Sequence, residues 1–427
     1  MGSMESAVVN QTDSITFLQT LDKALRKRTA TTAALGLIVA SVENFDEVRS
    51  AFGHRLTMPM LASAAARLRG SIGKGDAVIR FSESKFGVLV KGLKNEGHLV
   101  LAANKILREA TSAITVDGEL LEPQLRLGAT ASLRRGDDPD TMLQQAETAL
   151  LAARHENRDF LLYDKGQTGR LRNALSLATE IECALDSSEI SMFYQPKIAA
   201  ADRRPVGAEA LMRWSSPERG FVPPDVFVPI ADGSGQMESL TWFAMNAACR
   251  QLGEWPDRWG SLSVAVNVTP SIVEHTDLEE LVMSVTGLWD VRADQLTIEV
   301  TENALMRPQS SFATLNALRD TGVRVSIDDF GTGYSSFSYF NSIPADELKI
   351  DKSFVTGMLD DDGYARIVRT IINLAHSFNL KVIAEGVEDE RTAQALAELD
   401  CDYLQGYYFS RPLPQNEFIC WLNDYRA

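Results

Sequence analysis

The stretch "RVSIDDF", residues 324–330, is an apolar run that ends in two adjacent carboxylates, Asp328 and Asp329. Like charges at a strand end repel each other and lose solvation when they are partly buried. A surface loop tolerates such a pair at little cost, whereas in a binding site a divalent cation would offset the repulsion. The stretch alone leaves both interpretations open.

Seven other runs share this pattern of a short apolar stretch that ends in polar residues. They are ISMFYQP (190–196), GAEALMRW (207–214), LSVAVNV (262–268), LTIEVTE (296–302), ELKIDKS (347–353), KVIAEGVE (381–388) and YLQGYYFS (403–410). Amphipathic helical stretches such as ARIVRTIINLAHSF (365–378) lie between most of them. Continuous apolar strands that alternate with helices predict a parallel (β/α)8 barrel, in which the polar strand ends converge on one rim.

The first part of the chain also alternates helices with strands, which predicts a separate α/β domain. TTAALGLIVASV (31–42) and KFGVLVKGL (85–93) have the composition of strands, and TMLQQAETALLAARHE (141–156) has helical periodicity. We therefore expect an N-terminal segment at 1–14, an α/β domain at 15–168 and the barrel at 169–427. Because "MGS" before a second methionine resembles a cloning remnant, we expect a piece of a longer protein.

The bulk properties exclude several functional classes. The 427 residues carry a net charge of −16, which argues against binding to DNA or RNA because that binding needs a basic surface. The four cysteines are far apart, so they predict neither a zinc site nor a disulfide framework. No secretory signal is present and no apolar run has the length of a membrane span, so we expect a cytoplasmic chain without a membrane segment, although the longer protein could be anchored in a membrane.

The strand-end motifs resemble the EAL family of cyclic-di-GMP (c-di-GMP) phosphodiesterases over roughly residues 171–420. The matching pieces, in family order, are YQP, GAEALMRW, VNVT, EVTE, DDFGTGYSS, KIDKSFV, AEGVE and QGYYFSRPL. The resemblance implies a TIM-like barrel whose first strand is antiparallel, and hydrolysis of c-di-GMP to linear pGpG with two Mg²⁺ or Mn²⁺ ions and no organic cofactor. One departure is Ser216-Pro217, where the family often has His-Pro.

The resemblance also implies roles for individual residues in the reaction. Glu385 would be the general base, Lys349 would orient water or stabilise developing charge, and Gln405 would position substrate or water. The implied metal ligands, of which Asp328 would bridge the two ions, are Glu209, Asn267, Glu299, Asp328, Asp329 and Asp351.

Substrate contacts and a regulatory loop follow from the same resemblance. Arg213 would pair with a phosphate, Gln195 would contact the substrate, and Leu211 would either pack on the ligand or belong to the core. Glu302 would clasp the mobile loop that contains Gly331 and Gly333. Family members commonly form homodimers through the EAL domain, so we expect a homodimer here.

The first domain resembles the GGDEF diguanylate cyclase domain with its functional groups replaced. SVENFDEVRSAFGH (41–54) aligns with the family's metal and guanine segment, but Ser41 replaces the metal-binding Asp and Arg49 replaces the guanine-reading Asn. The family signature is replaced by Ser82, Glu83, Ser84, Lys85 and Phe86, in which both glycines and the metal-binding acid are missing. We therefore expect no cyclase activity and a regulatory or dimerisation role. The alternative for the whole chain is a noncatalytic c-di-GMP receptor or signalling scaffold.

Overall fold

A computed structural model describes ten segments of the chain and divides it into two units, Met1–Ser176 and Leu177–Ala427. The described residues are 14–27, 34–73, 75–116, 118–132, 137–156, 158–259, 261–274, 278–306, 308–331 and 343–426. The division falls inside the helix Lys165–Asp186. No helix within these ranges combines the length and the apolar composition that crossing a bilayer requires.

The first unit is a mixed sheet with helices, as predicted for an α/β domain. Its strands are β1 (Leu35–Val42), β2 (Ala77–Arg80), β3 (Lys85–Lys91), β4 (Ile114–Val116), β5 (Glu119–Leu121), β6 (Leu125–Ser132) and β7 (Phe160–Leu162). Its helices are α1 (Ser14–Arg26), α2 (Phe45–Ser71), α3 (Glu96–Ala110), α4 (Pro139–His155) and α5 (Lys165–Asp186), which continues into the second unit. The five-stranded sheet has the order β2-β3-β1-β6-β7 and only β6 and β7 pair in parallel, while β4 and β5 form a separate hairpin.

Local sequence explains several helix boundaries in this unit. Asp138 caps α4 by accepting a hydrogen bond from the Thr141 backbone amide, and Pro139 occupies the first helical turn, where its missing N–H costs nothing. In α2 the backbone breaks at Gly53, whose φ of 70° lies in the left-handed region that glycine tolerates.

The second unit contains the longer series of strands and helices. Its strands are β8 (Ile190–Ala199), β9 (Pro205–Ser216), β10 (Gly220–Val222), β11 (Ser263–Val268), β12 (Leu296–Thr301), β13 (Arg324–Phe330), β14 (Glu347–Ile350), β15 (Lys381–Ala384), β16 (Tyr403–Leu404) and β17 (Leu413–Pro414). Its α-helices are α6 (Pro224–Gly233), α7 (Met237–Leu252), α8 (Pro270–Val273), α9 (Leu278–Leu288), α10 (Pro308–Asp320), α11 (Lys352–Val355), α12 (Asp362–Ser377), α13 (Glu390–Glu398) and α14 (Gln415–Asp424). Short 3-10 turns occupy Asp257–Trp259, Ala293–Gln295 and Glu302–Met306.

Eight of these strands close into a barrel, and all eight correspond to the predicted apolar runs. Strands β9, β11, β12, β13, β14, β15 and β16 pair in parallel in that order. Strand β8 closes the barrel by pairing antiparallel with both β16 and β9. The TIM-like barrel with an antiparallel first strand is confirmed, and the all-parallel prediction from strand patterning is wrong for β8.

The strands alternate between apolar residues that pack outward and polar residues that face the barrel interior. In β12, Ile298 and Val300 belong to the apolar core, whereas Glu299 between them is fully buried and polar. Because side chains alternate along a strand, every second residue shares the interior face. The barrel therefore positions charged groups on rigid, buried strands, and the site is built from them.

Candidate metal centre

A single buried lysine lies at the centre of four carboxylates inside the barrel. The Lys349 ammonium on β14 is 3.3 Å from Glu209 Oε2, 3.0 Å from Glu299 Oε2, 3.1 Å from Asp328 Oδ2 and 2.7 Å from Glu385 Oε1. The lysine side chain is 1% exposed. The four acids come from or directly follow β9, β12, β13 and β15, so they meet because these parallel strands point their carboxyl ends at one rim.

Amide side chains complete the surroundings of Glu209. Asn267 Nδ2 donates to Glu209 Oε1 at 2.7 Å, and Gln405 Nε2 donates to Glu209 Oε2 at 2.6 Å. Gln405 also reaches the Gln195 side chain at 3.3 Å, and Gln195 in turn donates to the Ser410 carbonyl. Asn267 and Gln405 thus meet at the Glu209 carboxylate, and Gln195 adjoins them through Gln405.

Two groups of acids have the spacing to hold metal ions, and they share one member. Oxygens of Glu209, Glu299 and Asp328 lie within 4.8 Å of one another, and so do oxygens of Asp328, Asp329 and Glu385. Oxygen-only ligand sets of this kind suit Mg²⁺ or Mn²⁺ and not zinc, which prefers nitrogen and sulfur. The donor chemistry therefore fits two hard cations, with Asp328 placed to contact both.

The backbone at the end of β13 explains how adjacent acids reach one site. Neighbouring residues of a regular strand point to opposite faces. Here the pairing with β14 shifts register between Ile327 and Phe330, and Asp329 adopts a left-handed conformation with φ of 54°. The Asp329 amide donates to Asp328 Oδ1 at 2.8 Å. This irregularity turns both carboxylates toward the same group.

The loop that follows Asp329 is described only at its start. Gly331 has φ of 97°, and a Cβ at this position would lie 3.0 Å from the Phe354 ring. Its backbone amide donates to Glu302 Oε2 at 3.1 Å, so Glu302 contacts the start of the loop, and its role in clasping the loop stays a prediction. Gly333 lies outside the described residues.

Three predicted site residues have contacts that differ from those of the four acids around Lys349. Asp351 caps α11 by accepting a hydrogen bond from the Ser353 amide, and it belongs to neither acidic group. The Arg213 guanidinium donates to the Met212 carbonyl and lies 5.8 Å from the Phe193 ring centre. Leu211 lines a cavity of about 290 Å³, so it belongs to the cavity wall. Their roles stay predictions.

Burial and neighbouring charges shift the pKa values of the site carboxyls in opposite directions. Burial raises the pKa of Glu299 to about 8 and that of Glu385 to about 7, although Lys349 opposes both shifts. Burial also acts on Glu209, but Lys349 and hydrogen bonds from two amide side chains outweigh it and lower the pKa of Glu209 to about 2. The site therefore mixes one firmly ionised carboxylate with two that hold protons near neutral pH.

This division predicts that metal affinity rises with pH. A cation requires ionised ligands and favours ionised acids beside it, so binding displaces the protons held by Glu299 and by its neighbour Glu385. Affinity for Mn²⁺ should increase by up to about tenfold per pH unit for each proton released, and level off above about pH 8. Calorimetric titration between about pH 6 and about pH 9 measures the slope. Glu385→Gln should give a shallower slope, and a flat profile in the unmodified chain would contradict the assignment.

Sequence reasoning missed four charged residues next to this site. Lys352 and Glu388 line the same cavity as Glu385 and Leu211. Lys197 and Glu347 are buried and lie two residues from the predicted Gln195 and Lys349, on the same strand faces. The alternation of strand residues was the available signal for the latter pair.

In the first unit, the residues predicted to replace the GGDEF signature have partners inside the domain. Lys85 pairs with Glu147 of α4 at 3.1 Å, and Glu83 pairs with Arg49 at 2.9 Å. The carbonyls of Ser82 and Ser84 accept hydrogen bonds from Arg80 and Val42, respectively, and Phe86 is fully buried.

Ser41, the residue predicted to replace a metal-binding aspartate, is in contact with an arginine. Arg154 of α4 donates to both carboxylate oxygens of Glu43 at 2.8 Å and to the Ser41 hydroxyl at 3.0 Å. A fork of two hydrogen bonds to one carboxylate is among the stronger contacts available to arginine. The Arg154 guanidinium thus lies against the Ser41 hydroxyl.

Comparison with known families agrees with the geometry of both units. The EAL domain description matches residues 178–412, which include the whole carboxylate site. The chain belongs to the EAL family. The description "Diguanylate cyclase, GGDEF domain" matches residues 12–159, so GGDEF and EAL domains follow each other in tandem.

Relatives of this GGDEF–EAL chain act in c-di-GMP signalling. It is 28% identical over 402 residues to MucR of Pseudomonas aeruginosa, a bifunctional diguanylate cyclase/cyclic di-GMP phosphodiesterase, covering 93% of this chain and 58% of MucR. It is 31% identical over 398 residues to the cyclic di-GMP phosphodiesterase NbdA of the same organism, covering 92% of this chain and 50% of NbdA. The solved PaMucR phosphodiesterase in complex with c-di-GMP is 36% identical, with a TM-score of 0.54, and the match covers 57% of this chain and 99% of that one. The chain spans about half the length of the curated relatives it matches.

Proposed function

We propose that the EAL domain is a metal-dependent phosphodiesterase that hydrolyses c-di-GMP to linear pGpG. The observation that carries this proposal is the pair of acidic groups that share Asp328, beside a cavity lined by Glu385 and Leu211. Two ions held in this way would supply charge for the phosphate oxygens and lower the pKa of the attacking water. The proposed ligands are Glu209, Asn267, Glu299, Asp328, Asp329 and Asp351.

Side chains of the protein are proposed to perform the remaining steps of hydrolysis. Glu385 is proposed to accept a proton from water, because its side chain is 19% exposed at the cavity and its pKa of about 7 suits a general base. The water oxygen bonds to phosphorus while the bond from phosphorus to the 3′ oxygen breaks, which leaves the 5′ phosphate of pGpG. Lys349 balances the charge of the carboxylates, and Gln405 and Gln195 orient groups at the cavity wall.

Arg213 and Leu211 are the proposed substrate contacts. Both lie on the interior face of β9, Leu211 two residues and Arg213 four residues beyond Glu209. A guanidinium on this strand face can meet a phosphate, and an apolar side chain can pack against a base.

The full chain is expected to convert c-di-GMP to pGpG only with Mg²⁺ or Mn²⁺. Ca²⁺ should inhibit, because its larger and looser coordination fits a compact two-ion site poorly. Chromatography of the nucleotides after incubation with each ion measures the product. Intact c-di-GMP binding without turnover at saturating Mn²⁺ would favour the noncatalytic receptor instead.

We also propose that the GGDEF domain has no cyclase activity and acts in regulation or dimerisation, with a homodimer formed through the EAL domain in the cytoplasm. Support for inactivity comes from Ser41 and Ser84, which lack the oxygen anions that hold Mg²⁺, and from Arg154, which places a fixed cation against Ser41. All four cysteines are unpaired, as a reducing compartment favours.

Incubation of the full chain with GTP and Mg²⁺ should therefore yield no c-di-GMP and no pGpG. The chain's own phosphodiesterase would consume any c-di-GMP formed, so pGpG must be measured as well. Glu209→Ala, which disables that step, is the control in which c-di-GMP would accumulate. Either nucleotide appearing from GTP would refute inactivity of this domain.

A further inference from the structure

A second lysine is buried in the barrel next to the metal centre. Lys197 lies on β8, two residues after Gln195, and therefore on the same interior face. Its side chain is 3% exposed, and its ammonium is 3.4 Å from Glu299 Oε1 and 3.3 Å from Glu347 Oε2. A fully buried ammonium needs such partners, because desolvation of an unpaired charge costs several kcal/mol.

The two oxygens of Glu299 are divided between the two lysines. Oε2 is 3.0 Å from Lys349, on the side of the other acids, whereas Oε1 is 3.4 Å from Lys197. Oε1 has no hydrogen-bond partner among the residues that the structure describes. The charge of Lys197 is therefore the contact that the structure gives this oxygen.

Glu347 continues the series of charged contacts beyond Lys197, on the side away from the acidic groups. It lies on β14, two residues before Lys349, and its Oε1 is 3.9 Å from the Arg324 guanidinium. Ser326 of β13 is the register partner of both Glu299 and Glu347, so these acids occupy interior positions on either side of one strand. The contacts run Lys349–Glu299–Lys197–Glu347–Arg324 with alternating charge.

We propose that Lys197 is a positioning residue that holds Glu299 for the metal. This inference rests on the proposed metal-dependent function. Contact at Oε1 fixes the rotation of the carboxylate, so that Oε2 faces Lys349 and the acids around it. Outer partners of metal ligands commonly act in this way, and their loss costs about 10–100-fold in metal affinity. Glu347 balances the charge of Lys197 and does not join either acidic group.

A paired substitution separates this role from simple support of the fold. Lys197→Met with Glu347→Leu replaces a buried ion pair by apolar side chains of similar size, which is often neutral or stabilising. We expect the double variant to unfold at a temperature close to that of the unmodified chain. We expect its affinity for Mn²⁺, measured by electron paramagnetic resonance without nucleotide, to fall by about 10–100-fold. In turnover, the Mn²⁺ concentration for half-maximal rate should rise more than the KM for c-di-GMP.

Two further variants keep the test decisive. Gln251→Leu is the matched control, because it also replaces a fully buried polar side chain but lies on α7, and it should leave Mn²⁺ affinity unchanged. If the apolar pair does not fold, Lys197→Gln with Glu347→Gln preserves hydrogen bonding without the ammonium and should show the same direction of change. Unchanged Mn²⁺ affinity in either folded double variant overturns the proposal.

The measurement also separates this inference from the proposed function. If the unmodified chain binds Mn²⁺ but does not hydrolyse c-di-GMP, the proposed activity fails while the affinity comparison still decides the role of Lys197. If the unmodified chain binds no Mn²⁺, both are overturned.

Discussion

Glu385→Ala is expected to lower the rate of c-di-GMP hydrolysis by about 10²–10⁴-fold, the usual contribution of a general base. Glu209→Ala should reduce turnover to background, because Glu209 is the carboxylate that Asn267, Gln405 and Lys349 all contact and no neighbour can replace it in position. The two variants should differ in binding. Glu385→Ala should retain its affinity for c-di-GMP in the presence of Mn²⁺. Glu209→Ala should lose its affinity for Mn²⁺ in addition to its turnover.

Steady-state kinetics and Mn²⁺ titration of both variants test this expectation. Glu390→Ala is a suitable control, since it removes an exposed carboxylate at the start of α13, five residues beyond Glu385. Its kinetics should match those of the unmodified chain. Near-normal turnover in Glu209→Ala or Glu385→Ala would refute the assignment of the active site.

Lys349→Met is expected to destabilise the metal-free chain by about 3–5 kcal/mol, the cost of removing one partner of a buried ion pair. The lysine contacts four carboxylates, which would repel each other without it. The loss should be larger above about pH 8, where Glu299 and Glu385 would ionise, than at lower pH, where protons can neutralise them. Mn²⁺ should restore part of the lost stability, because a cation replaces the missing positive charge.

Urea unfolding with and without Mn²⁺ measures both effects. Lys381→Met is the matched control: its ammonium contacts Asp402 at 2.7 Å but is 58% exposed. An exposed pair of this kind is worth about 0–1 kcal/mol, and its loss should be insensitive to Mn²⁺. A Lys349→Met variant as stable as the unmodified chain would mean that the four acids do not depend on this charge.

Much of the barrel can be predicted from the sequence, because each of its eight strands is a separate apolar run with a polar end. Patterning cannot reveal strand direction, however, since "ISMFYQP" has the same alternation whichever way β8 runs. That direction came from family resemblance. Likewise, the convergence of Glu209 and Glu299 follows from strand ends meeting at one rim, but the contacts between them depend on register across the barrel.

Other features depend on contacts that no local pattern contains. Lys197 and Glu347 are 150 residues apart in sequence, and each looks like an ordinary charge beside an apolar run. Their pairing exists only once the barrel closes through β8. Arg154, which lies on a helix with ordinary amphipathic spacing, likewise shows its contact with Ser41 only in the folded domain.

The left-handed backbone at Asp329 limits which side chains this position accepts. Most residues are disfavoured at positive φ, and aspartate and asparagine are the main exceptions that still offer an oxygen. Glycine would relax the backbone but remove the carboxylate, and alanine would lose on both counts. Conformational tolerance and ligand chemistry thus select the same short list of amino acids, so most substitutions at this position would remove either the local backbone conformation or the proposed ligand of the second cation.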